Sequence, residues 1–167
     1  GSSELIVGHN TQPLYMESLS LGCVALTQRH FADGTIRKRA LEKALLECAI
    51  ELEPVVDTFQ RYGWGEVIAS SGTAKAIAKV VAAQGWNAPG ITTADLRKLR
   101  DVLLEAGHYE RFPFSELSND RAPVFAAGVI ILTAITEALG IKHVQITEAA
   151  LREGLLYDLL QRARHDD

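Results

Sequence analysis

Cysteine and histidine are scarce and scattered along this sequence. Its two cysteines, Cys23 and Cys48, form no CxxC pair, and its five histidines lie too far apart for two of them to ligate a metal from one element. This spacing argues against a disulfide framework, a zinc site and a Cys/His or Ser/His/Asp catalytic group. Two thiols without a framework are typical of a reducing compartment, so we expect a cytoplasmic location.

The sequence also lacks an excess of positive charge and a targeting segment. Seventeen Lys and Arg stand against 21 Asp and Glu, which gives a net charge of −4. The whole molecule therefore has no positive field with which to attract nucleic acid. We recognise no signal peptide and no run of about 18 apolar residues, and we expect no membrane span.

The composition that is present is that of a folded domain. Hydrophobic residues make up 47% and charged residues 23% of the chain, as in average soluble domains. A length of 167 residues suffices for one sizeable core. Only 7% of the residues are aromatic, and the apolar ones are mostly Ala, Leu, Ile and Val. We expect residues 1–167 to form a single α/β domain.

The first part of the chain predicts short strands followed by a long helix. Residues 4–7, 14–19 and 23–26 are apolar runs separated by turn residues, which predicts two or three antiparallel strands. Apolar side chains then recur at helical spacing from Leu41 to Phe59. Pro54 lies inside this pattern and predicts a bend or a break in the helix.

The rest of the chain alternates between strand and helix patterns, without a linker or repeat. We predict, in order, a strand over 66–70, a tight turn, a helix over 74–83, a helix capped by Thr92 or Thr93 and ended by Gly107, a buried helix from Pro123 to Gly140, a strand over 141–146 and a last helix over 147–160. This order predicts a mixed sheet flanked by helices. No GxGxxG or GxxxxGK[ST] motif is present.

Gly1, Ser2, Ser3 and Glu4 form the first candidate site, at the start of the first predicted strand. Small residues expose backbone N–H groups and hydroxyls that bind an anion, and the carboxylate of Glu4 can address a metal or a water molecule. The alternative is that Gly1 and Ser2 are the remnant of an expression tag, which belongs to no site.

A second candidate is the strand-to-helix turn Ser70-Ser71-Gly72-Thr73. The first turn of a helix has unpaired N–H groups and the positive end of the helix dipole, which together with hydroxyls suit a phosphate group. The alternative is a plain N-cap, in which Ser71 or Thr73 accepts a hydrogen bond from the backbone.

Two further candidates are weaker by themselves. Arg121 precedes the buried helix and can serve as a forked anion ligand, or else pair with Asp120 at the surface. Gly154 lies inside an amphipathic pattern, where it costs about 1 kcal/mol relative to Ala and suggests close approach of a ligand or backbone. Arg152 and Glu153 beside it fit ordinary surface charges equally well.

Taken in order along the chain, these segments resemble the Ppx/GppA family of exopolyphosphatases and guanosine pentaphosphate phosphatases, whose members have the actin-like, ribonuclease-H-like fold. The matching segments are the tail of a DIGGGS[ST]E motif at residues 1–5, an ES…GCV segment at residues 17–24, a turn similar to ASGT at residues 70–73, the DRAPVF segment at residues 120–125 followed by Ala127-Gly128, and the ALREGLLYD segment at residues 150–158.

The resemblance implies which part of such an enzyme this is. It matches the second actin-like domain, and the Asp-Ile-Gly-Gly that precedes Gly1 in the family motif is absent. We therefore expect the chain to begin inside a phosphate loop and to be part of a longer enzyme, with little or no activity alone. Full-length relatives imply a homodimer.

The resemblance also implies roles for the candidate residues. Glu4 positions the attacking water, which is either free or bound to a Mg²⁺ ion that Glu4 contacts through water. Gly1, Ser2 and Ser3 hold phosphate. Ser71, Gly72 and Thr73 form the opposing loop, and Arg121 contacts the phosphate chain. The implied reaction is Mg²⁺-dependent removal of the terminal phosphate from inorganic polyphosphate.

Three alternatives to an exopolyphosphatase remain open. Within the same family the substrate can be guanosine pentaphosphate, although the segment 17–24 with Cys23 favours polyphosphate. A module that senses phosphate or nucleotides without hydrolysing them would keep the fold and lose the chemistry, but Glu4 argues against it. The domain can also be a structural one that dimerises through the apolar helix over 124–139 or through its strand edges.

Overall fold

The chain folds into an α/β arrangement in which two small sheets lie against a group of helices. The computed structural model describes residues 1–10, 12–86 and 89–147. Its elements, in chain order, are β1 (Ser3–His9), β2 (Gln12–Leu19), α1 (Cys23–His30), α2 (Lys38–Tyr62), β3 (Ile68–Ala69), α3 (Gly72–Ala83), β4 (Ile91–Thr92), α4 (Thr93–Ala106), a single 3₁₀ turn (Tyr109–Arg111), α5 (Ala122–Leu139) and β5 (His143–Ile146).

The strands form one two-stranded and one three-stranded sheet. β1 and β2 pair antiparallel, with Glu4 opposite Ser18 and Ile6 opposite Met16. In the second sheet the order is β3-β5-β4, with β3 parallel and β4 antiparallel to β5. The predicted mixed pairing is therefore confirmed, in the three-stranded sheet.

Helix α5 occupies the centre of the core, and α1, α2, α3 and α4 all pack against it. Eleven of its residues are buried, including Phe125 and Ile130, which are 2% and 0% exposed. It is apolar on almost every side because almost every side faces another element. This confirms the burial that its sequence predicts.

We expected no membrane span because we recognised no apolar run of about 18 residues, but helix α5 is such a run. Ala122–Leu139 is long and apolar enough to cross a membrane by length and composition alone. In the fold, however, 61% of it is buried inside the protein. Burial by four neighbouring helices accounts for its apolar composition, since the core helix of a globular domain has the same pattern.

Helix ends follow the sequence signals closely. Thr92 caps α4 with a reciprocal capping box: its hydroxyl accepts from the N–H of Asp95 at 3.2 Å, and the Asp95 carboxylate accepts from the Thr92 N–H at 2.9 Å. Gly107 and Gly140 end α4 and α5 in the left-handed conformation. The predicted caps at these positions are confirmed.

One predicted strand is wrong, and one predicted helix break does not occur. Residues 23–26 are the first turn of α1 rather than a strand, with Leu26 buried and Val24 57% exposed. Four apolar residues cannot distinguish helical from strand periodicity. Of the bend or break predicted at Pro54, the break does not occur: α2 continues past that exposed proline, and Leu52 and Val55 on either side of it are buried in the core.

The remaining differences concern short elements. The two-residue strand β4 and the 3₁₀ turn over 109–111 were not predicted, since so few residues have no measurable periodicity. The strand predicted over 66–70 is limited to Ile68–Ala69. The last predicted helix lies outside the described residues, apart from Thr147 at its start.

Asp33 gives the loop between α1 and α2 a pH-dependent contribution to stability. Its carboxylate accepts hydrogen bonds from the hydroxyl and N–H of Thr35, at 2.6 and 3.0 Å, and from Arg37 at 3.1 Å. The bonds from Thr35, followed by the one from Arg37, lower the pKa of Asp33 to about 2. Because the folded-state pKa lies below the unfolded one, this contribution is present above about pH 4 and is lost as the pH falls towards about 2.

We expect Asp33→Asn to remove this pH dependence. The thermal unfolding midpoint of the variant should lie below that of the wild type at about pH 5, and the two should converge as the pH approaches about 2. Calorimetric scans of both proteins across this range measure the difference. A difference that stays constant with pH contradicts the assignment.

Candidate functional site

A cleft of about 300 Å³ separates the β1-β2 hairpin from the three-stranded sheet. β1 lines one side and β3 the other, while α3 and α5 form an apolar floor that includes Ile77 and Ile131. Polar groups lie where β1 and α3 begin. Five predicted site residues line the cleft, namely Ser2, Ser3, Glu4, Ser71 and Thr73. A sixth lining residue, Ser70, belongs to the same predicted turn as Ser71 and Thr73.

Glu4 stands on the exposed face of the hairpin at the edge of this cleft. Its carboxylate accepts hydrogen bonds from the hydroxyls of Ser2 and, at 3.4 Å, Ser18. Ser18 is directly opposite Glu4 in the β1-β2 register. These two donors orient the carboxylate, which remains accessible to water.

The glycine and serines ahead of Glu4 are packed against the start of α1. Gly1 lies directly against Gly22, the residue that precedes α1. The Ser3 hydroxyl donates to the carbonyl oxygen of Leu21 at 2.7 Å. The hydroxyl protons of Ser2 and Ser3 are therefore already donated within the protein, to Glu4 and Leu21, so binding a phosphate through them requires that they rotate.

The start of α3 combines a helix cap with open backbone donors. The Ser71 hydroxyl oxygen accepts from the N–H of Ala74 at 2.9 Å, which is the N-cap that was considered as the alternative to a phosphate site. The cap uses one N–H only, and the helix itself supplies no acceptor for the N–H groups of Gly72 and Thr73. Capping and anion binding are therefore compatible here.

Arg121 is brought onto the same turn by tertiary structure. A Cβ built on Gly72 would lie 2.5 Å from Nη2, 2.8 Å from Cζ and 2.9 Å from Nη1 of Arg121, so the guanidinium packs directly on the glycine. Its Nε also lies 3.8 Å from Asp120, and its side chain is 44% exposed. A hydrogen bond from Ser118 and the positive charge of Arg121 lower the pKa of Asp120. Arg121 therefore makes both contacts at once: it pairs with Asp120 at the surface and packs on Gly72 in the turn.

Sequence reasoning missed a set of contacts that joins α1, α3 and α5 around Thr73. Cys23, the first residue of α1, has its Sγ 3.5 Å from the Oγ1 of Thr73 in α3. Gly128 of α5 lies so close that a Cβ there would be 2.2 Å from the Thr73 methyl group. A glycine within a fully apolar helix was the one signal of this close approach.

The starts of α1 and α3 meet at Cys23 and Thr73, which both line the cleft, and the side chain of Arg121, the residue before α5, reaches the start of α3. The N-terminus of each helix has a partial positive charge from the aligned peptide dipoles. Together with the guanidinium of Arg121, this provides local positive potential in a chain whose net charge is −4.

The donor set restricts how a divalent cation is held. Among the described residues, no three His, Cys, Asp or Glu side chains group together. Glu4 is the one acidic side chain among the described residues that line the cleft. Mg²⁺ usually binds one or two carboxylates together with substrate phosphates and water. Glu4 therefore fits an ion shared with a phosphorylated substrate, and not a cage made by these residues alone.

Both cysteines, Cys23 and Cys48, are free thiols in the structure. Cys48 is buried in α2, and burial raises the pKa of its thiol to about 12, which keeps it protonated and unreactive. Gly154, Arg152 and Glu153 lie outside the described residues, so their predicted position at the site stays a prediction.

Comparison with known proteins gives one consistent family. The profile described as "Ppx/GppA phosphatase family" matches residues 1–163. Two proteins named guanosine-5'-triphosphate,3'-diphosphate pyrophosphatase, from two strains of Vibrio cholerae serotype O1, are 34% identical over 166 residues. The match covers 99% of this chain but 33% of each relative, so the chain spans about a third of their length.

Solved structures show the same fold. The Aquifex aeolicus PPX-GPPA enzyme superposes with a TM-score of 0.81 at 22% identity, over 93% of this chain and 53% of that chain. An exopolyphosphatase from Cytophaga hutchinsonii superposes with a TM-score of 0.79 at 20% identity, over 96% of this chain and 54% of that chain. The expected actin-like, ribonuclease-H-like α/β fold is confirmed.

Proposed function

Because the chain belongs to the Ppx/GppA phosphatase family, we propose that it is part of a phosphoanhydride hydrolase that releases the terminal 5′-phosphate of guanosine pentaphosphate. The observation that supports this best is the 34% identity, along 99% of the chain, to relatives named for a guanosine substrate. From the sequence we expected polyphosphate as the substrate, with guanosine pentaphosphate as the alternative. This identity favours guanosine pentaphosphate instead.

Inorganic polyphosphate remains the second candidate. The solved structure from Cytophaga hutchinsonii is named an exopolyphosphatase, but its 20% identity supports the shared fold and not a shared substrate. The segment over 17–24, which favoured polyphosphate, is divided between β2 and α1. Its Cys23 contacts Thr73, a role compatible with either substrate.

The proposed chemistry needs little covalent participation by the protein. Phosphoryl transfer to water requires an oriented nucleophile and stabilisation of the charge on the transferred group. In our proposal Glu4, oriented by Ser2 and Ser18, accepts a proton from the attacking water. A magnesium ion bound with the substrate would neutralise phosphate oxygens, and Glu4 would contact that ion through a water molecule.

The phosphates lie, in this proposal, against the start of α3. The open N–H groups of Gly72 and Thr73 donate to phosphate oxygens, and Arg121 on Gly72 contributes a forked, permanently charged donor. Gly1, Ser2 and Ser3 contact the phosphate from the hairpin side of the cleft. The net charge of −4 does not oppose this arrangement, because the binding potential is local.

The alternatives that lack catalysis explain less of the site. A module that only senses phosphate or nucleotides gains nothing from a carboxylate beside the anion, because the like charge repels it. Glu4 is nevertheless held at the polar end of the cleft by two hydroxyls. A domain that dimerises through α5 is disfavoured because that helix is the centre of the core.

Phosphate release by the full-length protein tests the proposed substrate. With Mg²⁺ present, we expect kcat/KM for guanosine pentaphosphate to exceed that for long-chain polyphosphate by about tenfold or more, a difference of about 1.4 kcal/mol. A higher kcat/KM for polyphosphate would contradict the proposed substrate and favour an exopolyphosphatase. Absence of release from both substrates would contradict the hydrolase proposal.

A further inference from the structure

A second cavity lies between the 3₁₀ turn and the first turn of α5, and none of the roles above uses it. Its volume is about 420 Å³, which is within the range of small-molecule sites. Three aromatic residues line it, Tyr109, Phe112 and Phe114, together with the polar side chains of Glu110 and Asn119. We call it the aromatic cavity.

The aromatic wall is anchored to the protein core. The ring of Phe112 lies 6.1 Å from that of Phe114 and 6.2 Å from that of Phe125 in α5. Phe125 is 2% exposed, so Phe112 and Phe114, which line the cavity, rest on a buried ring of the core. A fixed aromatic surface of this kind stacks well on a planar ring.

The polar groups of the aromatic cavity select among possible ligands. Glu110 has a side chain that is 70% exposed, although His108 approaches it to 3.8 Å. An ionised carboxylate only accepts hydrogen bonds, and it repels phosphate. The cavity is therefore suited to an uncharged ring with two adjacent N–H donors, which guanine presents along one edge. The amide of Asn119 can donate to the neighbouring carbonyl oxygen of the same base.

The aromatic cavity is connected to the phosphate-binding turn by a single side chain. Ala122 lines the cavity, and the preceding residue is Arg121, whose guanidinium packs on Gly72. Arg121 therefore links the two regions: its backbone adjoins a lining residue of the cavity, and its guanidinium reaches the turn. A nucleotide is built in the same way, with a planar base at one end and phosphates at the other.

We propose that the aromatic cavity binds the guanine base of the substrate while Arg121 and the start of α3 bind its 5′-phosphates. This inference rests on the proposed function, because it assigns a base subsite to the same substrate. It gives a physical basis for preferring a guanine nucleotide over polyphosphate, since polyphosphate has no group to place beside Glu110.

Calorimetric titration of the full-length protein with guanosine 5′-diphosphate 3′-diphosphate, the expected product, tests this subsite. We expect Glu110→Gln to weaken binding by about 10- to 100-fold, because a charged acceptor is lost and the amide presents a donor to the ring N–H. Glu116→Gln is the matched control. It removes an exposed carboxylate nearby that is not among the described residues lining the cavity, and it should bind like the wild type.

Kinetics then distinguish failure of the subsite from failure of the proposed function. Glu110→Gln should lower kcat/KM for guanosine pentaphosphate by the same factor, without a matching fall for polyphosphate. Unchanged nucleotide binding, or an equal fall for both substrates, would overturn the subsite even if the enzyme is active. If the wild type releases no phosphate but binds the nucleotide through Glu110, the subsite stands and the hydrolase proposal fails.

Discussion

Replacing Glu4 by Gln is expected to lower kcat for phosphate release by about 100- to 10,000-fold, the range for loss of a positioned general base. The amide cannot take a proton from water, yet its oxygen can still accept from Ser2 and Ser18, the two hydroxyls that orient the carboxylate. We therefore expect the fold and the affinity for the substrate to persist. Steady-state phosphate release by the full-length protein measures the loss, and its thermal unfolding midpoint verifies folding.

The control for Glu4→Gln is Glu66→Gln. Glu66 is also an exposed carboxylate, it lies just ahead of β3, and it is absent from the described residues that line the cleft. This variant removes the same charge and should retain wild-type kcat. If both variants lose activity equally, the effect of Glu4 is one of overall charge. If Glu4→Gln keeps its activity, Glu4 is not the base.

Substituting Gly72 by Ala is expected to lower kcat/KM by about 10- to 100-fold, which corresponds to loss of a charged hydrogen bond worth about 1.5–3 kcal/mol. The new methyl group would overlap the guanidinium of Arg121, only 2.5 Å from Nη2. The end of that flexible side chain must therefore move away from the turn. Stability should change little, because alanine is favourable in a helix and only the tip of an arginine is displaced.

Two comparisons make the Gly72 result specific to Arg121. Gly65→Ala adds the same methyl group where no atom lies within 4 Å, so it should leave kcat/KM unchanged. Combining Gly72→Ala with Arg121→Ala should cost no more than Arg121→Ala alone, because both remove one interaction. Fully additive losses would show that Gly72 acts independently of Arg121.

The local signals in the sequence were sufficient for most of the helices. The repeat from Leu41 to Phe59, the capping residue Thr92 and the terminal glycine Gly107 are short-range features, and each occurs where it was predicted. Such features depend on contacts between residues a few positions apart, so they can be recognised without knowing the fold. Where the pattern was too short, as at residues 23–26, the prediction failed.

The contents of the candidate site were predictable to a lesser degree. Glu4 and the turn over 70–73 were singled out from residue type and from a resemblance to a family, and both border the cleft. The aromatic cavity left no sequence signal, because a 3₁₀ turn of three residues has no periodicity. The ring of Phe112, which lines this cavity, packs against Phe125 of the core helix α5, a contact between residues far apart in the chain.

By itself, then, the sequence determined helices α2 to α5, the ends of α4 and α5, the buried character of α5 and the residue types available for phosphate chemistry. Tertiary structure alone decided that Arg121 packs on Gly72 and that Cys23 meets Thr73, 50 positions away in the chain. The physical reason is the range of the interactions. Helix periodicity and capping are decided within a few turns, whereas these contacts among α1, α3 and α5 depend on how the helices pack around α5.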